Sequence, residues 1–289
     1  MNAPALPTSP HRHRTGARRA STRPAWIALM CSSLLAAAPV WAHDTWFLAL
    51  PPAPGSTVAR LALGTGDPFP VHTTPLWRTG VARQGCARAA PAGPAAMRPF
   101  QLPAAAAAQG WQAPPGALHC WAQSLDFELT LPADKAAAYL DEVRAGPALR
   151  ASWARLQAEG EPWQERYSKH ARILLPPPGA APDASTQGGT PASLGLDIRL
   201  HNAAPLRRHQ TLQAQVVRDG LPLAGLSVEL RHDQARFSQW AVSDAQGRLA
   251  LTPPLAGTWV LRAIDLRPPG PGQTRWDSRF VSLVFDVAP

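Results

Sequence analysis

Residues 279–287 read Arg-Phe-Val-Ser-Leu-Val-Phe-Asp-Val, and this stretch decides the fold. Val281, Leu283, Phe285 and Val287 recur at every second position, the period of a strand with one face against a core. Upstream lie further short strand candidates: Thr211–Val217, Leu226–Leu230, Gln239–Val242, Arg248–Leu251 and Thr258–Ile264. Turn chemistry separates them. Asp219-Gly220 interrupts one pair, and Asp244-Ala245-Gln246-Gly247 fits a type I turn with Asp first and Gly fourth. Close-spaced strands with such turns predict an antiparallel β-sandwich of immunoglobulin-like or prealbumin-like kind over residues 194–289.

Working towards the N-terminus, residues 176–193 (PPPGAAPDASTQGGTPAS) have no apolar period and read as a linker. Residues 43–175 read as a second β lobe. Thr57–Leu63 and Ser124–Leu131 alternate, the Pro/Ala-rich stretch Ala89–Pro115 reads as an exposed loop, and Glu165–Leu175 reads as a strand. Two short helices are expected as an insertion, over Pro132–Ala145 and Pro147–Ala158; the second ends at Gly160. The fold expected is therefore mainly β, two sandwich lobes with a two-helix insertion. The 33 Pro and 21 Gly in 289 residues agree, since so many turn formers oppose a helical bundle.

Residues 1–42 read as a secretory signal peptide. Arg12, Arg14, Arg18, Arg19 and Arg23 precede an apolar run from Ala25 to Ala38, and Val40-Trp41-Ala42 supplies small residues for a cut after Ala42. The run is too short to span a bilayer comfortably. The expected location is the periplasm or outside the cell, with no membrane span left after cleavage. The full chain carries a formal +9, but the five Arg leave with the leader, so 23 basic residues face 19 acidic ones and the charge falls to +4. With no basic stripe in the remainder, nucleic acid is not an expected partner. Cys86 and Cys120 also remain. In an oxidising compartment they read most simply as one disulfide; a thiolate metal pair, with His119 beside it, is the competing reading.

The new N-terminus could carry chemistry. A first-position His43 offers one ion its α-amine and its imidazole Nδ1, a chelate suited to Ni²⁺, Co²⁺ or Cu²⁺, with raw affinity favouring Cu²⁺. The ligand must first lose a proton, so binding weakens in acid. Asp44 could add an oxygen ligand or an outer-shell hydrogen bond. A third ligand would come from His72, His119, His170, His201, His209 or His232; His72 has the best case, in a loop just after Gly66–Pro70. The plain alternative is that His43 only aids cleavage and Asp44 only caps the first strand. No Gly-x-Ser-x-Gly elbow and no phosphate loop occurs. Asp141-Glu142 and the Glu159/Glu161 pair read as solvated helix faces, so no enzyme is expected. Trp77, Trp111 and Trp121 are most simply core anchors, with a sugar- or partner-binding face as the other reading.

The motifs also carry a resemblance. Asp219-Gly220-Leu221-Pro222-Leu223-Ala224-Gly225, Ser243–Arg248 and Gly257-Thr258-Trp259 look like the carboxypeptidase regulatory-like, transthyretin-related sandwich. His43-Asp44-Thr45-Trp46, Gly66-Asp67-Pro68-Phe69-Pro70, Glu165-Arg166-Tyr167-Ser168-Lys169, Trp276-Asp277-Ser278 and Ser282-Leu283, in that order after a signal peptide, resemble the domain-of-unknown-function 4198 family of secreted proteins. Some members of that family accompany nickel or cobalt uptake systems. The resemblance implies a nickel- or cobalt-binding protein acting with an inner-membrane metal permease; the ligand chemistry of the freed N-terminus would draw its donors from His43, Asp44 and His72. The rival expectation is a secreted adhesion or interaction module, binding protein or carbohydrate without metal.

Overall fold

The structure is a computed structural model that describes residues 43–76, 78–88, 93–175, 194–202 and 206–289. The expected signal peptide, the linker over 176–193 and Trp77 lie outside the described residues. In chain order the strands begin with β1 (Asp44–Leu50), β2 (Arg60–Gly66), β3 (Thr74–Pro75), β4 (Val81–Arg88), β5 (Arg98–Phe100), β6 (Gln109–Gln112), β7 (Ala117–Ser124) and β8 (Phe127–Leu131). Helices α1 (Ala133–Glu142) and α2 (Pro147–Ala158) follow, then β9 (Trp163–Leu174), β10 (Leu196–Leu200), β11 (Leu206–Arg207), β12 (Leu212–Arg218) and β13 (Leu221–Pro222). The chain ends with β14 (Ser227–His232), β15 (Ser238–Val242), β16 (Arg248–Leu251), β17 (Gly257–Arg267) and β18 (Arg275–Ala288).

The alternating stretch that opened the sequence reading lies in β18, in the middle of a nine-stranded sheet ordered β15-β14-β17-β18-β9-β7-β4, with β8 beside β9 and β11 beside β18. β18 runs antiparallel to β17 from Gly257↔Val287 to Arg267↔Asp277. On its other side it runs parallel to β9, from Arg275↔Gln164 to Val284↔Ile173. Strands from both sides of residues 176–193 therefore share one sheet.

A strand paired on both sides sends successive side chains to opposite faces. Val281, Leu283, Phe285 and Val287 join Leu261, Trp259 and Leu230 in a core closed by Leu196, Ile198, Leu212 and Val216 of the sheet β10-β12-β13-β16. This is the sandwich expected for residues 194–289. The intervening residues are buried too. Val284 and Val260 meet Trp46, Phe47, Leu61 and Trp111 of the five-stranded sheet β1-β2-β3-β5-β6. Trp276 and Phe280 meet Tyr139 and Leu140 of α1 and Trp153 and Leu156 of α2. The result is three layers, with the large sheet in the middle.

Both helices form where Pro, Gly and apolar spacing put them. α2 starts with Pro147 at its first position and hands over to Gly160 at φ 77°, a left-handed residue that suits glycine after a helix end. The helices roof over Trp163, which stacks on Trp276 with ring centroids 4.3 Å apart.

Several boundaries differ from the sequence reading: among them, α1 stops at Glu142, β9 starts at Trp163 and β18 starts at Arg275. The strand expected at Thr57–Leu63 begins at Arg60. The one expected at Ser124–Leu131 breaks at Leu125-Asp126 into β7 and β8, with Leu125 exposed. The stretch expected as an exposed loop holds β5 and β6, with Met97 and Trp111 buried. Pro99 is tolerated because β5 is an edge strand. Gly110 is required there, since a Cβ on it would lie 2.6 Å from the Phe100 carbonyl oxygen. Trp111 and Trp121 are both buried, as core anchors should be, and neither offers an exposed binding face.

Cys86 and Cys120 sit opposite each other on β4 and β7 and are joined as a disulfide, with both side chains in the core. On the opposite face Arg172 of β9 makes a two-pronged ion pair with Asp197 of β10, at 3.1 and 2.8 Å, with both side chains out of solvent. That pair ties the large sheet to the smaller one.

Two predictions follow from this packing. The disulfide spans 34 residues, so the Cys86→Ser/Cys120→Ser variant should lose about 3–4 kcal/mol of unfolding free energy, read by urea denaturation. The second concerns acid. Burial lowers the pKa values of His119 and His170 to about 4, below their unfolded value. Their contribution to stability is complete above about pH 6.5 and is lost as pH falls towards 4, at up to about 1.4 kcal/mol per pH unit and group. Urea midpoints at pH 7 and pH 4.5 should differ less in His119→Gln than in the parent; an equal difference would clear His119 of the effect.

Candidate functional site

β1 starts at Asp44, one residue after His43, opposite Gly66 at the end of β2. Three buried contacts hold this strand start on the large sheet. Lys169 Nζ of β9 donates to the His43 carbonyl at 2.6 Å, Ser282 Oγ of β18 donates to the Thr45 carbonyl at 2.6 Å, and the Asp44 carboxylate accepts from Arg262 of β17. Arg262 also binds Glu229 of β14 and, at 3.4 Å, Glu142 at the end of α1. Arg231 continues the network, 3.3 Å from Glu229 and 3.4 Å from Asp67. Four carboxylates and three cations thus surround the first residues of β1. Glu142, read from sequence as part of a solvated face, instead turns inward to this cluster.

The electrostatics follow from burial and pairing. Burial lowers the Lys169 pKa to about 8, against the pull of Asp44. Burial opposes the charge on Arg262, but Asp44 and Glu229 outweigh it and keep the guanidinium ionised. Burial raises the Glu142 pKa, and Arg262 opposes that rise. His43 is half-buried, and burial lowers its pKa; the nearby Asp67 charge opposes the shift and Lys169 adds to it. The imidazole is therefore neutral near pH 7, the form that ligates metals. One atom is left over. Asp44 is 3% exposed, its Oδ2 faces Arg262, and its Oδ1 is buried with no hydrogen-bond partner among the described residues. Such an orphan costs roughly 1–3 kcal/mol unless something fills the site.

His72 lies beyond β2, on a loop folded back over it. Two glycines allow the fold-back: a Cβ on Gly66 would collide with the Val71 carbonyl oxygen at 1.9 Å, and one on Gly64 would lie 2.6 Å from His72 Cγ. The His72 ring stacks on Trp46 at 5.6 Å, and its Nε2 donates to the Trp46 carbonyl at 3.1 Å. That bond places the lone pair on Nδ1, and burial lowers the pKa to about 4. His43 and Asp44 are chain neighbours at the start of β1, whereas His72 sits on a loop against that strand with its ring on Trp46. Among the described residues no group of three or more His, Cys, Asp or Glu side chains is arranged to hold a metal ion.

The other histidines are elsewhere. His119 is buried on β7, His170 is buried on β9, and His201 and His209 are exposed. His232 is buried, its Nε2 on the Ala256 carbonyl. Cys86 and Cys120 are spent on each other.

The sequence motifs meet one another across the fold, and some of them reach the start of β1. Trp276-Asp277-Ser278 lies in register beside Glu165-Arg166-Tyr167. Ser278 and Trp163 both donate to the buried Glu165, and Arg166 pairs with Asp277 at 2.9 Å. Lys169 and Ser282 reach the start of β1, whose Asp44 faces Gly66. A family model, described as Domain of unknown function (DUF4198), matches residues 40–265. The chain belongs to that family. No curated protein and no solved structure matches the chain. No helix among the described residues is long and apolar enough to cross a membrane.

Sequence reading had found His43 and Asp44 but not their partners. Lys169 and Asp67 were inside the quoted motifs without an assigned role. Glu229 in Val-Glu-Leu and Arg262 in Leu-Arg-Ala had one legible signal: a charge in the middle of an apolar strand. Arg262→Met would leave the buried Asp44 without its guanidinium partner and the buried Glu229 with Arg231 alone. It should cost about 3–5 kcal/mol of stability, measured by urea unfolding at pH 7. A loss under 1 kcal/mol would mean that the carboxylates find other partners.

Proposed function

We propose that this family member is an exported, non-enzymatic protein that binds a transition-metal ion, nickel or cobalt, at the chain start at His43 and supports its uptake through an inner-membrane permease. The observation that carries the reading is the buried, unpartnered Asp44 Oδ1 on the residue after a neutral His43. The ion is cargo. Its donors would be the His43 imidazole, the α-amine freed by cleavage after Ala42, and Asp44 Oδ1, with Asp67 at the rim. Nitrogen donors of this kind suit Ni²⁺, Co²⁺ and Cu²⁺. Side chains alone do not make up a set of three here, so the α-amine is an essential donor. Lys169 and Arg262 repel a dication, and the four carboxylates offset them.

A second reading, an interaction module without metal, is favoured by a different observation. β15 is an edge strand of the large sheet, and Val242 on it and Phe237 just before it are exposed. Open apolar edges are sites of strand addition.

Calorimetry with Ni²⁺, Co²⁺ and Cu²⁺ separates the readings, using protein that starts at His43 and protein with one extra residue ahead of it. The extension should weaken binding by more than the roughly 10–100-fold that loss of an outer-shell partner costs. Equal affinities would remove the α-amine from the mechanism, and no binding in either form would leave the interaction module.

A further inference from the structure

Consecutive residues of β9 face opposite ways. Lys169 reaches the start of β1, and His170 points to the other side of the sheet, where the sheet β10-β12-β13-β16 stops short. A cleft of about 300 Å³ remains there, bordered by β9, β18, the β7–β8 turn and the entry to β10. Its walls are polar: Arg83, Arg166 and Arg279 face Asp126, Asp219 and Asp277. These charges are largely cross-paired. Arg166 binds Asp277, and Arg279 binds Asp219 at 2.7 Å. An ion entering the cleft would have to break pairs that already exist.

His170 lines this cleft and is 1% exposed. Its Nδ1 donates to the Phe280 carbonyl at 3.1 Å, which leaves Nε2 as a lone-pair acceptor. That Nε2 has no hydrogen-bond partner among the described residues. Arg279 engages the Gly195 carbonyl and Asp219 through a single nitrogen, Nη1. Gly195 packs closely against both groups, with no room for a side chain. A Cβ built there would lie 3.1 Å from His170 Nε2 and 3.0 Å from Arg279 Nη1.

An acceptor and a cationic donor thus lie close together on the cleft wall, around Gly195. An anion there would meet Arg279 well and the imidazole lone pair badly; an ammonium would do the reverse. A hydroxyl satisfies both, donating to Nε2 and accepting from the guanidinium. We propose that the cleft between His170, Arg279 and Gly195 is a binding site for a neutral, hydroxyl-rich ligand of monosaccharide size. The volume is at the lower end for small-molecule sites, which sets that size. The balanced charges supply hydrogen bonds to several hydroxyls without a net field. This site lies on the opposite face from the His43 cluster and does not depend on the metal reading.

The test is histidine-labelled ¹⁵N NMR of the purified protein, with the His170 resonance assigned from His170→Gln. The probes are D-glucose, D-galactose, D-mannose and myo-inositol, with sulfate and glycine as controls. At least one neutral probe should move the His170 Nε2 signal saturably, and neither control should. Gly195→Val, which crowds His170 Nε2 and Arg279 Nη1, and Arg279→Lys, which removes the fork, should each weaken that binding by about tenfold or more. Nickel titration of both variants should match the parent. Circular dichroism checks folding, and if Gly195→Val is unfolded then Arg279→Lys decides. A shift produced by sulfate or glycine, no shift from any neutral probe, or undiminished affinity in folded Arg279→Lys would overturn the assignment.

Discussion

The architecture depends on β18 being paired along both edges and buried on both faces. Its antiparallel partner β17 is the local one, reached by a short connection, whereas its parallel partner β9 lies about 110 residues earlier in the chain. That parallel pairing welds residues 163–174 to the C-terminal strands and makes one nine-stranded sheet. Once the sheet exists, both its faces need cover. The sheet β10-β12-β13-β16 covers one; β1, β2 and their neighbours, together with α1 and α2, cover the other. The stretch at 280–285 is buried throughout, the sign of a central strand, while its odd positions alone make the alternation that stands out to the eye.

Charge is the second constraint. Where β1 meets the large sheet, the layer interface is not apolar. Asp44, Glu229 and Lys169 are buried there and Arg262 is nearly so. Taking charges out of water costs several kcal/mol per ion, and mutual attraction repays it only when geometry and hydrogen bonding are nearly complete. Glu229 and Arg262 meet that condition. Asp44 meets it on one oxygen only. An apolar patch of similar shape would hold β1 at least as well, so packing alone does not account for these residues. The arrangement fixes the backbone at His43 and leaves one buried acceptor on the next residue unpartnered among the described residues. Glu165, by contrast, has three donors in Tyr139, Trp163 and Ser278, and with them it reads as a structural lock between helices and sheet.

The β nature of the chain, α2 and most C-terminal strands were legible because local signals decide them: alternation, Pro at a helix start, Asp and Gly in turns. The parallel pairing of β9 with β18 was not legible, because register between distant strands leaves no local trace. The Ala89–Pro115 stretch misled for a related reason. Its composition suits a loop, and it becomes β5 and β6 only because β2 offers an edge on which Trp111 can be buried. For the candidate site, His43 and Asp44 could be named from a cleavage motif and ligand chemistry. Lys169, Arg262 and Glu229 reach them across the fold, from 126, 218 and 185 positions away in the chain, and only tertiary structure joins them.

The two candidate sites lie back to back on β9, with Lys169 facing one and His170 the other, yet nothing in the structure makes them communicate. Coupling between sites needs an element with two discrete arrangements that both ligands bias. β9 is hydrogen-bonded to β18 on one side and to β7 and β8 on the other. β7 is fixed to β4 by the disulfide. A strand so held cannot rotate or slip: a shift of one residue would send Lys169 into the polar cleft and His170 into the charged cluster, exchanging every buried partner. The same rigidity that keeps the sites separate also prearranges each of them. Neither must order its strand when it binds, and binding that needs no ordering loses less of its gross energy.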